Sequence, residues 1–249
     1  MGKTVLIDPR TGSQCRTDGK TVLTHKTLFL PKENQLKATH QFLNNLPASV
    51  DLRPYMTPVE EQGTKMGSCV GNALAGAVEY LMLKGSGIPI DVSRLFIYYN
   101  ARLIEKGEPV ETDGCTIESG IKAVQRYGVC KEILWPYDPK LENRRPTLQA
   151  YAQARRITII PSQVDMTSLQ NMKAYLASGI PFTFGLRIFD SSFDNAAKNN
   201  GHFTMPTSSE RESYKKYGWH AVLAVGYNDQ KQEFILRNSW GREWVSIQE

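Results

Sequence analysis

Cysteine is scarce in this sequence: 4 of 249 residues, Cys15, Cys69, Cys115 and Cys130. Their irregular spacing gives neither the framework of a disulfide-stapled domain nor the Cys-x-x-Cys pairs of a zinc site, and a thiol-reduced compartment is the simplest setting for them. Long apolar runs are missing too. No stretch approaches the ~20 apolar residues of a membrane-spanning helix. No apolar segment follows Met1-Gly2-Lys3-Thr4 as a signal peptide requires, and Leu6 spoils the pattern for a myristoyl group. No membrane partner is therefore expected, and the expected setting is the cytoplasm or export by a signal-independent route. The net charge is +5, yet there is no Lys/Arg block and no aromatic interleaving of the nucleic-acid kind. The charge reads as solubility, and no nucleic-acid partner is expected. Internal repeats and low-complexity tracts are also absent. With 41% apolar and 22% charged residues, the chain reads as an ordinary globular protein able to bury one large core or two small ones, and it is expected to act as a monomer.

Against this background one stretch stands out, Gln62-Gly63-Thr64-Lys65-Met66-Gly67-Ser68-Cys69-Val70-Gly71-Asn72-Ala73-Leu74. Glycines and polar residues before Cys69 read as an irregular loop. After it, Leu74, Val78 and Leu81 recur at helical spacing among small residues suited to a buried helix. Cys69 is thereby placed near the first position of a helix, where the positive end of the macrodipole favours thiolate over thiol. Taken alone, such a cysteine is more often a buried, inert one.

A reactive thiolate needs a base and something to hold the base. Gly218-Trp219-His220-Ala221-Val222-Leu223-Ala224-Val225-Gly226-Tyr227 reads as a turn feeding an apolar strand, and Glu233 to Gly241 as a second strand, with Asn228-Asp229 as the turn between them. A hairpin across that turn brings His220 and Asn238 side by side, which completes a Cys, His, Asn constellation. Seen alone, His220 would be a satisfied strand histidine and Asn238 a turn residue. His25, His40 and His202 have no matching context.

Gln62 through Cys69, His220-Ala221-Val222, Gly226-Tyr227 and Asn238-Ser239-Trp240-Gly241 together resemble the signature segments of papain-like cysteine peptidases, in the same order along the chain. Leu46-Pro47-Ala48-Ser49-Val50-Asp51-Leu52-Arg53 is similar to the start of the family's mature enzymes. Gly128-Val129 and Trp135-Pro136-Tyr137 resemble a mid-domain landmark. Ser93 to Asn100 has counterparts in the bacterial and archaeal branch. The likeness spans roughly Leu46 to Trp244. It implies an α+β fold of two subdomains: a mainly helical half at about 46–155 and a mainly β, barrel-like half at about 156–249, with the active-site cleft between. Residues 1–45 form an N-terminal extension in which β-prone runs at Val5-Leu6-Ile7 and Thr21-Val22-Leu23 precede a weak helical pattern at Glu33 to Phe42. It reads equally as a partial pro-segment shielding the cleft and as an appended tail.

The resemblance also implies roles. Cys69 is the nucleophile, His220 its base and then acid, and Asn238 the amide that fixes the imidazole. Gln62 and the backbone N–H of Cys69 are the oxyanion donors, and Trp240 covers the His–Asn contact. No metal or organic cofactor is implied, the substrate is a peptide or protein, and a reducing agent keeps Cys69 free.

The chain departs from the family in several places. The Gln62–Cys69 loop is one residue longer than in papain, and Val70 stands where an aromatic residue is usual. Met66 stands near where secreted relatives have a bridged cysteine, which leaves Cys115 without that partner. Thr116-Ile117-Glu118-Ser119 replaces a substrate-binding Gly-Gly. Beyond Trp244 the family's closing strand is replaced by Val245-Ser246-Ile247-Gln248-Glu249. The polar segment Asp190 to Tyr217 is expected to rim the cleft. Two alternatives to peptide hydrolysis remain open from sequence: another acyl-transfer enzyme, such as a deamidase or transglutaminase-like protein, and a binding protein that has kept the fold.

Overall fold

A computed structural model describes residues 5–7, 14–16, 23–25, 45–111, 113–155, 161–163, 167–189, 195–196, 198–212 and 219–244. The helical pattern at Glu33 to Phe42 and the run Ile157-Thr158-Ile159-Ile160 lie outside them. Among the described residues the strands are β1 (Val5–Ile7), β2 (Gln14–Arg16), β3 (Leu23–His25), β4 (Ser49–Asp51), β5 (Pro161–Gln163), β6 (Phe182–Arg187), β7 (Trp219–Asn228) and β8 (Glu233–Arg237). The helices are α1 (Cys69–Ser86), α2 (Arg94–Lys106), α3 (Ile117–Tyr127), α4 (Leu148–Ala154), α5 (Leu169–Ala177) and α6 (Ser208–Glu212).

Residue choice accounts for most helix starts. Ser93, Thr116, Thr147 and Ser168 precede α2, α3, α4 and α5, and each accepts a hydrogen bond from the backbone N–H three residues on, the arrangement that makes Ser and Thr good N-caps. Thr116 and Ser119, where the family has Gly-Gly, are thus the first turn of α3. The exception is α1: Ser68 precedes it and makes no side-chain cap, a loss of about 1 kcal/mol by the usual worth of a cap.

Helix α1 is buried without a break from Cys69 to Leu81, as expected of a helix apolar all round. Val70, Ala73, Leu74 and Val78 join the core of the helical half with Leu95, Phe96, Ile121 and Val124. Ala77, Tyr80 and Leu81 join a second core with Met172, Leu176, Phe182, Leu223 and Tyr227. Each buried residue of Leu or Val size contributes ~1.5–3 kcal/mol, so one helix ties both halves together. Gly71 permits a close approach here: a Cβ on it would lie 2.7 Å from the carbonyl oxygen of Arg94, so α1 and the start of α2 touch backbone to backbone.

The β half is an antiparallel sheet of order β4-β7-β6-β3-β5, with β8 on the other edge of β7. β7 is longer than any of its partners. Its first residues pair with β6 (Leu186 opposite His220) and its last with β4 (Val50 opposite Tyr227). Gly226 makes this hand-over feasible, because a Cβ there would sit 2.2 Å from the Val50 oxygen. The Tyr227 hydroxyl donates to the Pro47 oxygen at 2.6 Å, which ties Leu46-Pro47 to the sheet.

The expected hairpin is present with a longer turn. Asn228 is the last strand residue, and Asp229 to Gln232 make the reversal, with Gln232 at φ 56°. The run expected at Thr21-Val22-Leu23 forms a strand two residues later, as β3, and β3 lies inside the sheet between β6 and β5.

Candidate active site

The thiol side of the site begins at the uncapped end of α1. Cys69 is the first helical residue and 1% exposed. Its predecessor Ser68 turns its hydroxyl to the Tyr137 hydroxyl instead of to the helix, and the Tyr137 hydroxyl donates to the Gln62 carbonyl at 2.8 Å. The extended loop between Gln62 and Cys69 is pinned at its middle: Asp113 Oδ1 accepts from Gly67 N at 2.7 Å and from the Tyr98 hydroxyl at 2.8 Å. Val70, in place of the usual aromatic residue, is fully buried in the helical core.

Gln62 is buried, with its backbone shared between the halves: its N–H donates to Ser239 O at 2.7 Å while its carbonyl accepts from Tyr137. Its side-chain Oε1 accepts from the Ser239 hydroxyl at 2.6 Å, and Nε2 donates to Met66 O at 3.3 Å. A carbonyl oxygen can only accept, so the amide is oriented with Nε2 toward the loop. One of its two N–H groups is used there, and the other is left without a partner among the described residues.

On the imidazole side, His220 Nε2 lies 2.6 Å from Asn238 Oδ1. Asn238 Oδ1 also accepts from the Ser239 backbone N–H at 2.8 Å, and this settles the chemistry of the pair. A backbone N–H can only donate, so the atom facing it is the amide oxygen, and His220 Nε2 must carry the hydrogen it shares. In the neutral ring the lone pair is then on Nδ1. Trp240, 3% exposed, stacks on the imidazole with centroids 4.6 Å apart and planes at 27°, and Trp244 meets Trp240 edge-on at 4.6 Å. Phe203, from the polar segment 190–217, stacks on Trp244 at 6.0 Å, and its neighbour His202 pairs with Glu233 at 2.7 Å. Residues 202–203 therefore lie beside the aromatic cover of the site.

Cys69 and Ala221, the residue after His220, share one buried cluster. The sequence-derived residues thus gather where α1 meets β7. Gln62, His220, Asn238 and Trp240 are joined by direct contacts through Ser239, and Cys69 heads the helix against which β7 packs. Tyr137, Ser239, Asp113, Asn72 and Arg94 also belong to this neighbourhood. The sequence carried Tyr137, Ser239, Asn72 and Arg94 only as members of the quoted stretches, without roles, and gave no signal for Asp113.

Cys115 and Cys130 sit in environments that keep their protons. Burial, and next the charge of nearby Cys69, pushes the Cys115 thiol well above its ordinary value, and burial pushes Cys130 up to about 12. Among the described residues no group of three His, Cys, Asp or Glu side chains is placed to hold a metal ion, and no helix is long and apolar enough to cross a membrane.

A two-cored α+β fold, with a thiol at the head of the shared helix and an imidazole–amide pair on the facing sheet, is the architecture of a papain-like domain. The chain belongs to the papain family: the family model "Papain family cysteine protease" matches residues 46–247. An uncharacterised peptidase C1-like protein of Acanthamoeba polyphaga mimivirus is 37% identical over 196 residues, covering 74% of this chain and 60% of the relative. Peptidase 1 of Dermatophagoides pteronyssinus is 27% identical over 205 residues, covering 80% and 59%. The chain spans about three fifths of the length of these curated relatives. Among solved structures, xylellain, a cysteine protease from Xylella fastidiosa, matches with a TM-score of 0.64 and 34% identity over 86% of this chain and 79% of that one. Digestive procathepsin L 3 of Tenebrio molitor shares the fold at a TM-score of 0.59 and 21% identity, over 79% and 60%.

Proposed function

We propose that the chain hydrolyses peptide bonds in peptide or protein substrates, acting as a monomer and without nucleic acid. The Cys69 thiolate, paired with the protonated imidazole, adds to the substrate carbonyl. His220 gives its proton to the departing amine, leaving a thioester on Cys69. Water, deprotonated by His220, then splits the thioester into a carboxylic acid and the free thiol. Asn238 holds the imidazole through Nε2–H, and an amide does so without adding charge. The unpartnered N–H of Gln62 and the backbone N–H of Cys69 receive the oxyanion, where one such donor is worth ~3–4 kcal/mol of transition-state stabilisation. The observation that carries this reading is the forced tautomer of His220, which turns the basic nitrogen away from Asn238. The test is labelling by an epoxysuccinyl affinity reagent followed by mapping, with product analysis on a protein substrate. Modification of Cys69 and appearance of new amino termini are expected. Labelling at Cys115 or Cys130, or loss of side-chain ammonia without chain cleavage, would overturn it in favour of inert folding or deamidation.

We propose further that residues 1–45 serve as a partial pro-segment over the cleft. The reading is supported by β3, which fastens the extension to β6, the neighbour of the strand that carries His220. Cleaving the chain near Leu46 and releasing the extension should raise peptidase activity, and unchanged activity of the folded product would count against shielding.

A further inference from the structure

The Gln62–Cys69 loop has to present two donors to one oxygen from its opposite ends, the Gln62 side chain and the Cys69 N–H. Within the loop Gln62 Nε2 reaches back to Met66 O at 3.3 Å, and α1 lacks the side-chain cap that steadies the other capped helices. A ring of hydrogen bonds outside the loop joins its two ends. Arg94 Nη1 donates to Asn72 Oδ1 at 3.0 Å, Asn72 Nδ2 donates to Ser68 Oγ at 3.2 Å, Ser68 Oγ meets the Tyr137 hydroxyl, and that hydroxyl donates to Gln62 O at 2.8 Å. Arg94 Nη1 also donates to Glu61 O at 3.1 Å and closes the ring.

Every direction in this ring is forced. Guanidinium and amide N–H groups only donate and carbonyl oxygens only accept, so Tyr137 spends its hydrogen on Gln62 and Ser68 must give its own to Tyr137. The four bonds from Arg94 through Asn72, Ser68 and Tyr137 to Gln62 all point one way, while the closing bond to Glu61 leaves the same Arg94 nitrogen. Such a chain polarises along its length and resists stretching as a unit. Arg94 is braced in turn: its guanidinium stacks 3.9 Å over the Tyr137 ring, and its Nε lies 3.1 Å from Glu60 Oε2 without lining up for a hydrogen bond. The Arg94 backbone is pressed against Gly71, so it cannot retreat from α1.

We infer that Tyr137 and Arg94 are positioning residues that set the separation of the two oxyanion donors by tying both ends of the Gln62–Cys69 loop to one hydrogen-bonded ring. The inference rests on the oxyanion reading of Gln62 and Cys69 above. Tyr137 reaches Gln62 and Ser68 directly, and Arg94 reaches them through Glu61 and Asn72, so both act through Gln62 and Ser68.

The test compares two reactions of the same thiol. Peptide hydrolysis passes through an oxyanion, whereas alkylation of Cys69 by iodoacetamide needs the thiolate but no oxyanion donor. In Tyr137→Phe the ring on Arg94 is kept and one hydroxyl is lost. Its kcat should fall about tenfold to a hundredfold, in line with what a sub-ångström to 1 Å misplacement costs, with KM within about twofold, the mark of a contact made in the transition state. The alkylation rate of Cys69 should stay within about twofold of the unmodified chain, because the thiolate is set by the helix end and His220. A kcat equal to that of the unmodified chain would overturn the inference. So would a parallel fall of kcat and alkylation, which marks a merely structural disturbance. Should Tyr137→Phe not fold, Arg94→Lys keeps the cation beside Glu60, loses the fork that serves Glu61 and Asn72, and is read by the same split. If the unmodified chain cleaves no peptide, the reading beneath the inference fails and both fall. If it cleaves peptide and the variants match it, this inference falls alone.

Discussion

Cys69 and His220 come to the site from the two halves of the molecule, and what holds each of them differs in kind. His220 is set by regular structure: strand register places it opposite Leu186, a hairpin returns Asn238 to its side, and Trp240 closes over the pair. Cys69 heads a helix whose first turn has no side-chain cap, and the loop before it is held by Asn72 of that helix and by Tyr137, Asp113 and Arg94, which reach in from elsewhere. The difference teaches where each side should be fragile. The imidazole side should break through its one hydrogen bond or through the sheet, and the thiol side through a distributed polar network.

The comparison can be broken most completely at Cys69. Cys69→Ala should abolish turnover while leaving the thermal unfolding midpoint within a few degrees, since a sulfur replaced by hydrogen on a buried helix removes little volume. Residual hydrolysis at the original rate would show that another group attacks. On the imidazole side, Asn238→Ala removes the acceptor of His220 Nε2–H and leaves the Trp240 stack. A fall in kcat of about a hundredfold is expected for a mis-aimed base, read by steady-state kinetics, and full activity would mean that the stack alone orients the ring.

The sheet that carries the imidazole can be tested apart from the chemistry. In Gly226→Ala the new Cβ meets the Val50 carbonyl, a backbone atom that cannot step aside, so destabilisation of about 3 kcal/mol is expected. For a chain of this size that corresponds to a midpoint lowered by about 10 °C. An unchanged midpoint would show that β4 can leave β7 without consequence.

The smallest effect sharpens the comparison on the thiol side, through pH. Burial, more than any neighbouring charge, pushes Glu60 and Glu132 up to about 7. Glu60 gains back part of this from Arg94 and faces Glu79, Asp91 and Arg237 as well. The folded chain therefore keeps protons that the unfolded chain releases near 4.5, the ordinary value for a glutamate. The contribution of these groups to stability is full below that pH and is lost as pH rises to about 7. Melting midpoints of Glu60→Gln across this range should decline less steeply than those of the unmodified chain, and an identical slope would remove Glu60 from the account.

Legibility followed the same division. The hairpin, its strands and the buried character of α1 could be read from turn residues and periodicity, because each depends on neighbours a few positions away. The turn came out longer than expected, because Asn228 is used up as the partner of Ser49 and Glu233. Tyr137 stood in view as part of Trp135-Pro136-Tyr137 without a role, since its two hydroxyl partners lie 69 and 75 residues away. That same distant hydroxyl draws Ser68 away from capping α1. Thr116, which looked like the loss of a substrate contact, is the cap of α3.

The sequence by itself determined the class of fold, the order of Gln62, Cys69, His220 and Asn238, and the local elements that present them. The local elements follow from side-chain periodicity and turn chemistry within a few residues, while the class of fold and the roles of the four residues follow from the resemblance of their segments to the family's signature. Only the tertiary structure decided the tautomer of His220, the orientation of the Gln62 amide and the ring that ties Gln62 to Ser68. Each of these is fixed by a directional hydrogen bond to a group that chain folding brings near, as when Ser239 meets Gln62 across 177 residues, and no local pattern encodes such a meeting.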